Sequence, residues 1–353
     1  MSTRKNKASQ SGDTTTHYRD GKKTLVFTPK KGEVMDTCAT IHDEYICCNV
    51  KVLKSVSNCP FDCSYCFLQN YLTNPTLQSV SDIQGMMTEV NEKRMAQPWR
   101  FFRIGTWELG DSLALEYETG QAKALVKAFS ELQNVVLELK TKSDCVDTLL
   151  DLDHQGRTVV SWSMNSNYII DTVEHKTAKL NQRLDAIKKV VNSGYLVGIH
   201  FDPMIRHENW EEGYSEVVMK LIDIIPAKQM AWISFGSLRF NPEQEKLMEN
   251  NFPGNHLTKV ETVLGSDNKV RYVKPHRIEM YRHMRSMLEP YIKNDVLVYL
   301  CMERWDMWEK IMGFNPGSIG DLDYLFADSF HRRFPGIVPE KPNRELYIEF
   351  QDT

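Results

Sequence analysis

The feature that most constrains the fold is a regular alternation of short apolar runs with longer segments of helical spacing. From about residue 45, six runs with strand character are each followed by a stretch spaced like an amphipathic helix. Parallel strands joined through helices form right-handed crossovers, so the pattern predicts an α/β protein with a partial (β/α)6 TIM-type barrel. Functional side chains of such barrels gather at the carboxyl ends of the strands.

The alternation can be assigned segment by segment. The predicted barrel strands are EYICCNVKVLK, WRFFRIGTW, NVVLELKT, TVVSWSMN, GYLVGIHFDP and MAWISFGSLRF. The predicted helices are DIQGMMTEVNEKRM and residues 119–132, 143–152, 178–193, 211–225 and 242–251. The regular repeat stops after the last of these helices.

Three regions are expected from these boundaries. Residues 1–40 read as a basic, flexible amino-terminal arm, 41–255 as the barrel, and 256–353 as an extension packed on it in one globular unit. Two β-rich runs around Gly-Ser-Asp-Asn predict a β-hairpin at 262–273. A helix at 275–289, the strand DVLVYLCM and a helix from 303 to 312 complete an αβ extension, whereas GFNPGSIGD and the Pro-rich end are predicted as loop and tail.

Composition narrows the class of protein. The chain has 353 residues, is 41% hydrophobic, and contains no run of eighteen apolar residues and no amino-terminal secretory segment. We therefore expect a cytoplasmic protein without a membrane partner. In a reducing compartment its eight cysteines indicate metal ligands or catalysts rather than a disulfide framework.

Charge is distributed unevenly along the chain. Residues 1–31 carry a net charge of +6, which leaves -10 for the remainder. A basic arm of this kind could dock on phosphates. A solubilising disordered tail is the alternative interpretation.

Cys59, Cys63 and Cys66 form a C-x3-C-x2-C motif directly after the first predicted strand. Three thiolates can hold three corners of a [4Fe-4S] cluster and leave the fourth iron open to a substrate or cofactor. The alternative is a zinc site completed by a histidine or by Cys145, because structural zinc has four ligands. Zinc ligands usually occur as two separated pairs and no second C-x2-C is present, so the motif favours the cluster.

This motif, in this position, resembles the radical S-adenosylmethionine superfamily and, more narrowly, the spore photoproduct lyase family. The resemblance covers nearly all of residues 45–312. The stretches that carry it are CSYCFLQNYLT, LKTKSDCVDTLLDLDHQGRT, SWSMNSNYII, NSGYLVGIHFDPMIRHENWEEGY, ISFGSLRFNP, NKVRY and VYLCMERWDMWEKIMG.

The resemblance implies a cofactor pair and a reaction. A [4Fe-4S] cluster would cleave S-adenosyl-L-methionine to a 5′-deoxyadenosyl radical, which takes hydrogen from the substrate. The implied activity is that of a carbon–carbon lyase repairing a thymine photoproduct in DNA. Its implied partners are damaged DNA and an electron donor such as flavodoxin or ferredoxin, while the oligomeric state is not indicated.

The resemblance also assigns residues around the cofactor. Cys59, Cys63 and Cys66 would bind the cluster. Lys142, Ser163 and Asn165 would contact S-adenosylmethionine, and Tyr65 would lie beside the adenosyl group. Ordinary polarity at a strand end is the alternative for Ser163 and Asn165.

A second set of residues would contact DNA. The resemblance places Lys269, Arg271 and Tyr272 of the hairpin against phosphate and the lesion, with the hairpin acting as a wedge. Arg304 would face the mouth of the active site. A solvated hairpin without a ligand is the alternative interpretation.

The sequence departs from the family at two positions. Glu108 stands where the hydrogen-donating cysteine aligns, and Phe67 replaces the second tyrosine of the radical relay, which leaves Tyr65. Glu108 could hold the ammonium group of the cofactor, or the chain could be a paralogue with another substrate. Cys301 and Cys145 are the remaining thiol candidates for quenching the product radical.

Three hypotheses follow from the sequence. The first is a radical enzyme that repairs a thymine lesion in DNA. The second is a lyase-like paralogue that modifies a peptide or small molecule, which the changes at Glu108 and Phe67 favour. The third is a non-enzymatic iron–sulfur or zinc protein that binds nucleic acid, against which Lys142, Ser163 and Asn165 argue.

Overall fold

A curled eight-stranded sheet forms the centre of the computed structural model, which describes residues 19–38 and 44–349. The strands are β1 Leu25–Thr28, β2 Met35–Thr37, β3 Lys51–Leu53, β4 Val56–Ser57, β5 Asp62–Cys63, β6 Leu77–Val80, β7 Phe102–Gly105, β8 Val135–Thr141, β9 Thr158–Ser163, β10 Glu174–His175, β11 Leu196–Met204, β12 Met230–Ser237, β13 Arg239–Phe240, β14 Thr262–Leu264, β15 Val270–Tyr272 and β16 Leu297–Leu300.

The helices lie mainly between these strands. They are α1 Leu68–Tyr71, α2 Ile83–Ala96, α3 Glu116–Thr119, α4 Gln121–Phe129, α5 Asn167–Thr172, α6 Leu180–Asn192, α7 Trp210–Ile224, α8 Pro242–Asn251, α9 Lys274–Met287, α10 Glu289–Ile292, α11 Trp305–Met312, α12 Ile319–Arg333 and α13 Arg344–Glu349. No helix among these described residues is long and apolar enough to cross a membrane.

The main sheet has the order β16-β12-β11-β9-β8-β7-β3-β2. Every neighbouring pair from β3 to β16 is parallel, and only β2 pairs antiparallel, with β3. An isolated bridge between Ile46 and Glu303 joins the chain before β3 to the chain after β16. The predicted partial (β/α)6 barrel is therefore confirmed, and β16 of the extension adds a seventh parallel strand.

The carboxyl-terminal extension contains the predicted hairpin. Thr262 pairs with Tyr272 and Leu264 with Val270, and β13 adds a third strand to this small sheet. The helix expected at 275–289 is α9, and the helix expected at 303–312 is α11.

The helix predicted at 143–152 is wrong, because only a 3-10 turn at Asp147–Leu149 forms there. The Ser143 hydroxyl accepts a hydrogen bond from the Cys145 amide at 3.0 Å, and the Ser143 carbonyl accepts one from the Trp162 indole at 3.0 Å. Side chains that bond nearby backbone in this way compete with helical hydrogen bonds.

Helix α12 lies where sequence patterning predicted no regular element. The Ser318 hydroxyl caps it by accepting from the Asp321 amide at 3.0 Å. Phe330 packs against Phe101, immediately before β7, and Phe326 and Phe330 pack against Trp232, near the start of β12. Helix α12 therefore closes the amino-terminal end of the barrel.

The described part of the predicted arm is folded. Strand β1 pairs with β6, and β2 extends the main sheet, so regular structure begins before residue 40. Residues 1–18 of the predicted arm lie outside the described residues. Arg19 and Lys22 attach this region to the barrel, because both form ion pairs with the carboxylate of Asp62, at 3.1 and 3.6 Å.

Candidate active site

The loop that carries the three motif cysteines lies at the carboxyl-terminal side of the barrel and is held from two directions. Strand β10 pairs antiparallel with β5, matching Glu174 with Cys63, and the Ser64 amide donates to the Val173 carbonyl at 2.9 Å. From the opposite direction, the Lys22 ammonium donates to the Phe61 carbonyl at 2.5 Å. These contacts fix the backbone on which the thiols are mounted.

The three thiols occupy a shielded position. Cys59 and Cys63 are buried and Cys66 is half-buried. Burial raises the pKa of each thiol, and the positive charge of Lys142 opposes that increase at Cys63 and Cys66. The nearby ammonium group therefore favours the thiolate form, which metals bind.

The donor set fits an iron–sulfur cluster chemically. Across residues 19–38 and 44–349, no three His, Cys, Asp or Glu side chains lie close enough to share one metal ion. A cubane cluster binds each thiolate through a separate iron, so its thiols do not have to converge on one point. The charges of Cys63 and Cys66 raise the pKa of Cys59, so the three thiols lie near one another. They are the residues that would hold such a cluster.

A buried carboxylate lies directly beside the cysteine loop. One Glu174 oxygen accepts from the Tyr65 hydroxyl at 2.5 Å and from the Asn165 amide at 2.9 Å. The other oxygen accepts from the Arg183 guanidinium at 2.7 Å, and neither side chain of this ion pair is exposed. The Asn165 carbonyl oxygen in turn accepts from the Tyr214 hydroxyl at 2.6 Å.

This network keeps both Glu174 and Lys142 charged. Burial alone raises the pKa of Glu174, but Arg183, Lys142 and the Tyr65 hydrogen bond outweigh it and the pKa is lowered. Burial alone lowers the pKa of Lys142, but attraction to Glu174 and Cys63 outweighs it and the pKa is raised. The Lys142 ammonium also lies 5.7 Å from the centroid of the Tyr65 ring.

Asp111 positions the strand end that carries Lys142. Its carboxylate accepts from the Lys142 amide at 2.7 Å and from the Thr141 hydroxyl at 2.6 Å. The same carboxylate accepts from the amides of Leu113 and Ala114, at 3.0 and 2.9 Å. Asp111 thus ties the loop after β7 to the end of β8.

A second polar layer lies in the barrel interior. The Glu138 carboxylate bonds the His200 ring at 2.7 Å, the Ser161 hydroxyl at 2.8 Å and the Trp107 indole at 2.9 Å. Burial alone raises the pKa of Glu138, but His200 and the cations Lys140 and Arg103 outweigh it and lower the pKa to about 2.

Cys301 lies across the mouth of the barrel, directly after β16. The Arg239 guanidinium is 3.4 Å from its sulfur and pairs with the Asp202 carboxylate at 2.9 Å. The thiol itself donates a hydrogen bond to Asp202. Burial and then the charge of Asp202 raise the pKa of Cys301, so the thiol is protonated at neutral pH.

The structure brings together some of the residues predicted for the cofactor and gives others protein partners. Tyr65 lies within the cysteine loop, and Lys142 lies beside it. Ser163 is buried, and its carbonyl accepts from Arg183 at 2.9 Å, while both polar atoms of Asn165 are bonded within the protein. Glu108 lies half-buried on the loop after β7. The cofactor assignments of these residues remain predictions.

The hairpin residues are placed differently from the expectation. Arg271 and Tyr272 are buried rather than outward-facing, because Arg271 pairs with Asp267 and the Tyr272 hydroxyl accepts from the Arg206 amide at 3.2 Å. Lys269 is half-buried and points at the Met302 sulfur, 3.9 Å away. The DNA contacts assigned to the three residues remain predictions.

Arg304 is the fourth residue predicted to contact DNA. Its guanidinium lies 2.8 Å from the Glu44 carboxylate and 3.9 Å from that of Asp306. The Arg304 side chain is 39% exposed, unlike the buried Arg271 and Tyr272, and its role also remains a prediction.

Sequence reasoning missed the roles of Glu174, Arg183 and Asp111. Glu174 and Arg183 lie on opposite sides of a helix start, where charged residues normally face solvent. The signal available was the pair of opposite charges nine residues apart, but burial of both depends on tertiary packing. The contacts of Asp111 with the end of β8 likewise depend on packing between separate segments.

The chain is similar to spore photoproduct lyases in sequence and in fold. The enzyme of Bacillus subtilis (strain 168) is 28% identical over 243 residues, which cover 68% of this chain and 69% of the relative. The enzyme of Geobacillus sp. (strain Y412MC61) is 27% identical over 246 residues, with the same coverage of both chains.

Solved structures give the same fold. Spore photoproduct lyase complexed with dinucleoside spore photoproduct superimposes with a TM-score of 0.70 at 23% identity, covering 84% of this chain and 87% of that chain. A variant of that enzyme with bound AdoMet and dinucleoside spore photoproduct gives the same TM-score and coverage. The family model described as spore photoproduct lyase matches residues 1–301, and the chain therefore belongs to the spore photoproduct lyase family.

Proposed function

We propose that this protein is a radical S-adenosylmethionine lyase that repairs a thymine photoproduct in DNA. The observation that carries the proposal is the position of the three-cysteine loop, which lies against Lys142 at the carboxyl ends of the strands in a chain of this family. The cluster and S-adenosylmethionine would together supply reductive cleavage of the cofactor and hydrogen abstraction from the lesion.

The protein's own residues have distinct parts in this proposal. Cys59, Cys63 and Cys66 would bind the cluster, and Lys142 would attract the carboxylate of the cofactor. Glu174 holds the Tyr65 hydroxyl and thereby fixes the tip of the loop. Glu108, on the neighbouring loop, would hold the ammonium group of the cofactor.

Cys301 would return a hydrogen atom to the product. Its S–H bond breaks as a C–H bond forms on the carbon radical, and the unpaired electron moves to sulfur. A reduced flavodoxin or ferredoxin would then supply one electron, and solvent one proton, to restore the thiol. The protonated state of Cys301 and its position at the barrel mouth support this assignment.

The changes at Glu108 and Phe67 favour a second candidate function. A paralogue that modifies a peptide or small molecule would keep the cysteine loop and Lys142 but accept another substrate. Phe67 is 47% exposed and stacks edge-on with Tyr71, so its ring faces outward rather than toward Tyr65. A relay through two adjacent tyrosines is therefore not available at this position.

A lesion-conversion assay tests the proposal. After anaerobic reconstitution, the protein should bind about four irons per chain and release 5′-deoxyadenosine in the presence of reductant. Dinucleoside spore photoproduct should then be converted to thymidine units. Release of 5′-deoxyadenosine without conversion of the lesion would favour the paralogue, and a protein that binds no iron would contradict both functions.

A further inference from the structure

A groove of about 970 Å³ begins at the cysteine loop and has no part in the chemistry described above. Ser64, between two of the motif cysteines, lines it. Val260, two residues before β14 begins, also lines it. The groove therefore connects the candidate cluster site with the hairpin on the same face of the barrel.

Aromatic faces line one part of the groove. The Tyr168 side chain is 51% exposed, and its ring lies 5.0 Å from that of His207. Phe252 stacks on His175 with ring centroids 5.3 Å apart. The exposed Tyr168 ring is a platform on which a nucleic-acid base can stack without regard to sequence.

Basic side chains line another part of the groove. Arg206, Lys259 and three histidines contribute to the wall, and Glu208 is the acidic residue in the same lining. Arg206 is 2.6 Å from Glu279 and Lys259 is 3.6 Å from Glu249, but all four side chains are partly exposed. Such solvated ion pairs contribute little, so a phosphate can replace the carboxylate.

The basic amino-terminal region reaches the groove at Arg19. Its guanidinium donates to the Asn251 carbonyl at 3.1 Å and lies 5.0 Å from the centroid of the Phe252 ring, and both residues line the groove. Arg19 therefore adds a positive charge at this part of the groove.

We infer that this groove binds the single DNA strand that flanks the lesion, with a base on Tyr168 and phosphates on Arg206 and Lys259. Stacking platforms combined with cations along one track are typical of single-strand recognition. The inference deepens the proposed function and rests on it for the identity of the lesion. It adds a binding site for nucleotides that take no part in the reaction.

Direct binding of an undamaged single-stranded oligonucleotide to the full chain tests the groove. Tyr168→Ala should weaken binding about tenfold, whereas Tyr168→Phe, which keeps the ring, should bind like the wild type. Lys259→Gln should lower the slope of log affinity against log salt by about one. Tyr117→Ala and Lys188→Gln are matched controls, because they change an exposed ring and an exposed paired lysine away from the groove.

The outcomes separate this inference from the proposed function. Groove variants should convert the dinucleoside lesion at the wild-type rate but lose activity on the same lesion within an oligonucleotide. Groove-dependent binding without any lesion conversion would leave the groove assignment intact and remove the proposed function. Lesion conversion with oligonucleotide binding unchanged in Tyr168→Ala and Lys259→Gln would overturn the groove assignment alone.

Discussion

The Tyr65 hydroxyl donates a 2.5 Å hydrogen bond to the Glu174 carboxylate, which joins the cysteine loop to the segment after β9. Because Glu174 also pairs with the fully buried Arg183, the position of the loop depends on an ion pair that solvent cannot replace. Loop placement and folding stability are therefore linked through one carboxylate.

Glu174→Gln should destabilise the protein strongly. The amide leaves the Arg183 guanidinium buried without a counter-charge, and such a loss costs about 3–5 kcal/mol. Urea unfolding at pH 7 would measure the change. Glu216→Gln is the control, because its pair with Lys220 is on the surface and should contribute less than about 1 kcal/mol. Equal effects of the two substitutions would contradict the role given to Glu174.

Cys63→Ala should abolish binding of the full iron complement. Removal of one of three thiolates leaves a cluster corner without a protein ligand. Iron and sulfide analysis after anaerobic reconstitution, with the visible absorption spectrum, would measure the loss. Cys145→Ala, which removes a half-buried thiol outside the loop, should keep the wild-type iron content. Wild-type iron content in Cys63→Ala would rule out the assigned ligand set.

Protonation of Glu138 should make the protein less stable in acid. Its folded-state pKa of about 2 lies below the usual 4.5, so its contribution is complete above pH 4.5 and is lost as pH falls toward 2. The contribution is on the order of 3 kcal/mol. Glu138→Gln should remove this part of the pH dependence, as measured by urea unfolding between pH 3 and 7. If the free energy of unfolding depends on pH in the same way in the variant and the wild type, this prediction is wrong.

Substitution of two nearby basic residues of the hairpin, Arg271 and Lys269, should have different effects on stability and on DNA binding. Arg271→Ala breaks a buried pair with Asp267 and should lower the free energy of unfolding by about 3 kcal/mol or more. Lys269→Ala should leave stability nearly unchanged and weaken DNA binding most at low salt. Thermal unfolding and salt-dependent binding would distinguish the two effects. An Arg271→Ala protein with the wild-type free energy of unfolding would contradict the stabilising role given to the Arg271–Asp267 pair.

Cys301→Ala should change the source of hydrogen in the repaired product. A thiol proton exchanges with solvent, so the wild-type protein in deuterium oxide should place deuterium in the product. The variant should lose this label and form by-products from an unquenched radical, as measured by mass spectrometry. Cys145→Ala should label the product normally. Undiminished labelling by Cys301→Ala would assign the donation to another group.

Features with a periodic or local signal were predictable from the sequence. Alternating hydrophobicity identified the barrel strands, and the motif placed Cys59, Cys63 and Cys66 at a strand end, where the structure has them. Lys142, which the family resemblance implied as a cofactor contact, lies directly after β8, and that role remains a prediction. These predictions needed no knowledge of which distant segments meet.

Features that depend on long-range packing were not predictable in the same way. Arg271 and Tyr272 looked like exposed hairpin residues, but Arg271 is turned inward onto the ring of Tyr45 and the carboxylate of Asp267. The burial of Glu174 with Arg183 also requires two segments to meet in three dimensions. A single sequence shows the charges but not the partners.

Phe326 and Phe330 pack against Trp232 at the amino-terminal end of the barrel, whereas the cysteine loop lies at the carboxyl-terminal end. The aromatic cluster that completes the core is thus separated from the candidate site by the length of the strands. Substitutions in this cluster are therefore expected to lower folding stability without changing a side chain of the candidate site.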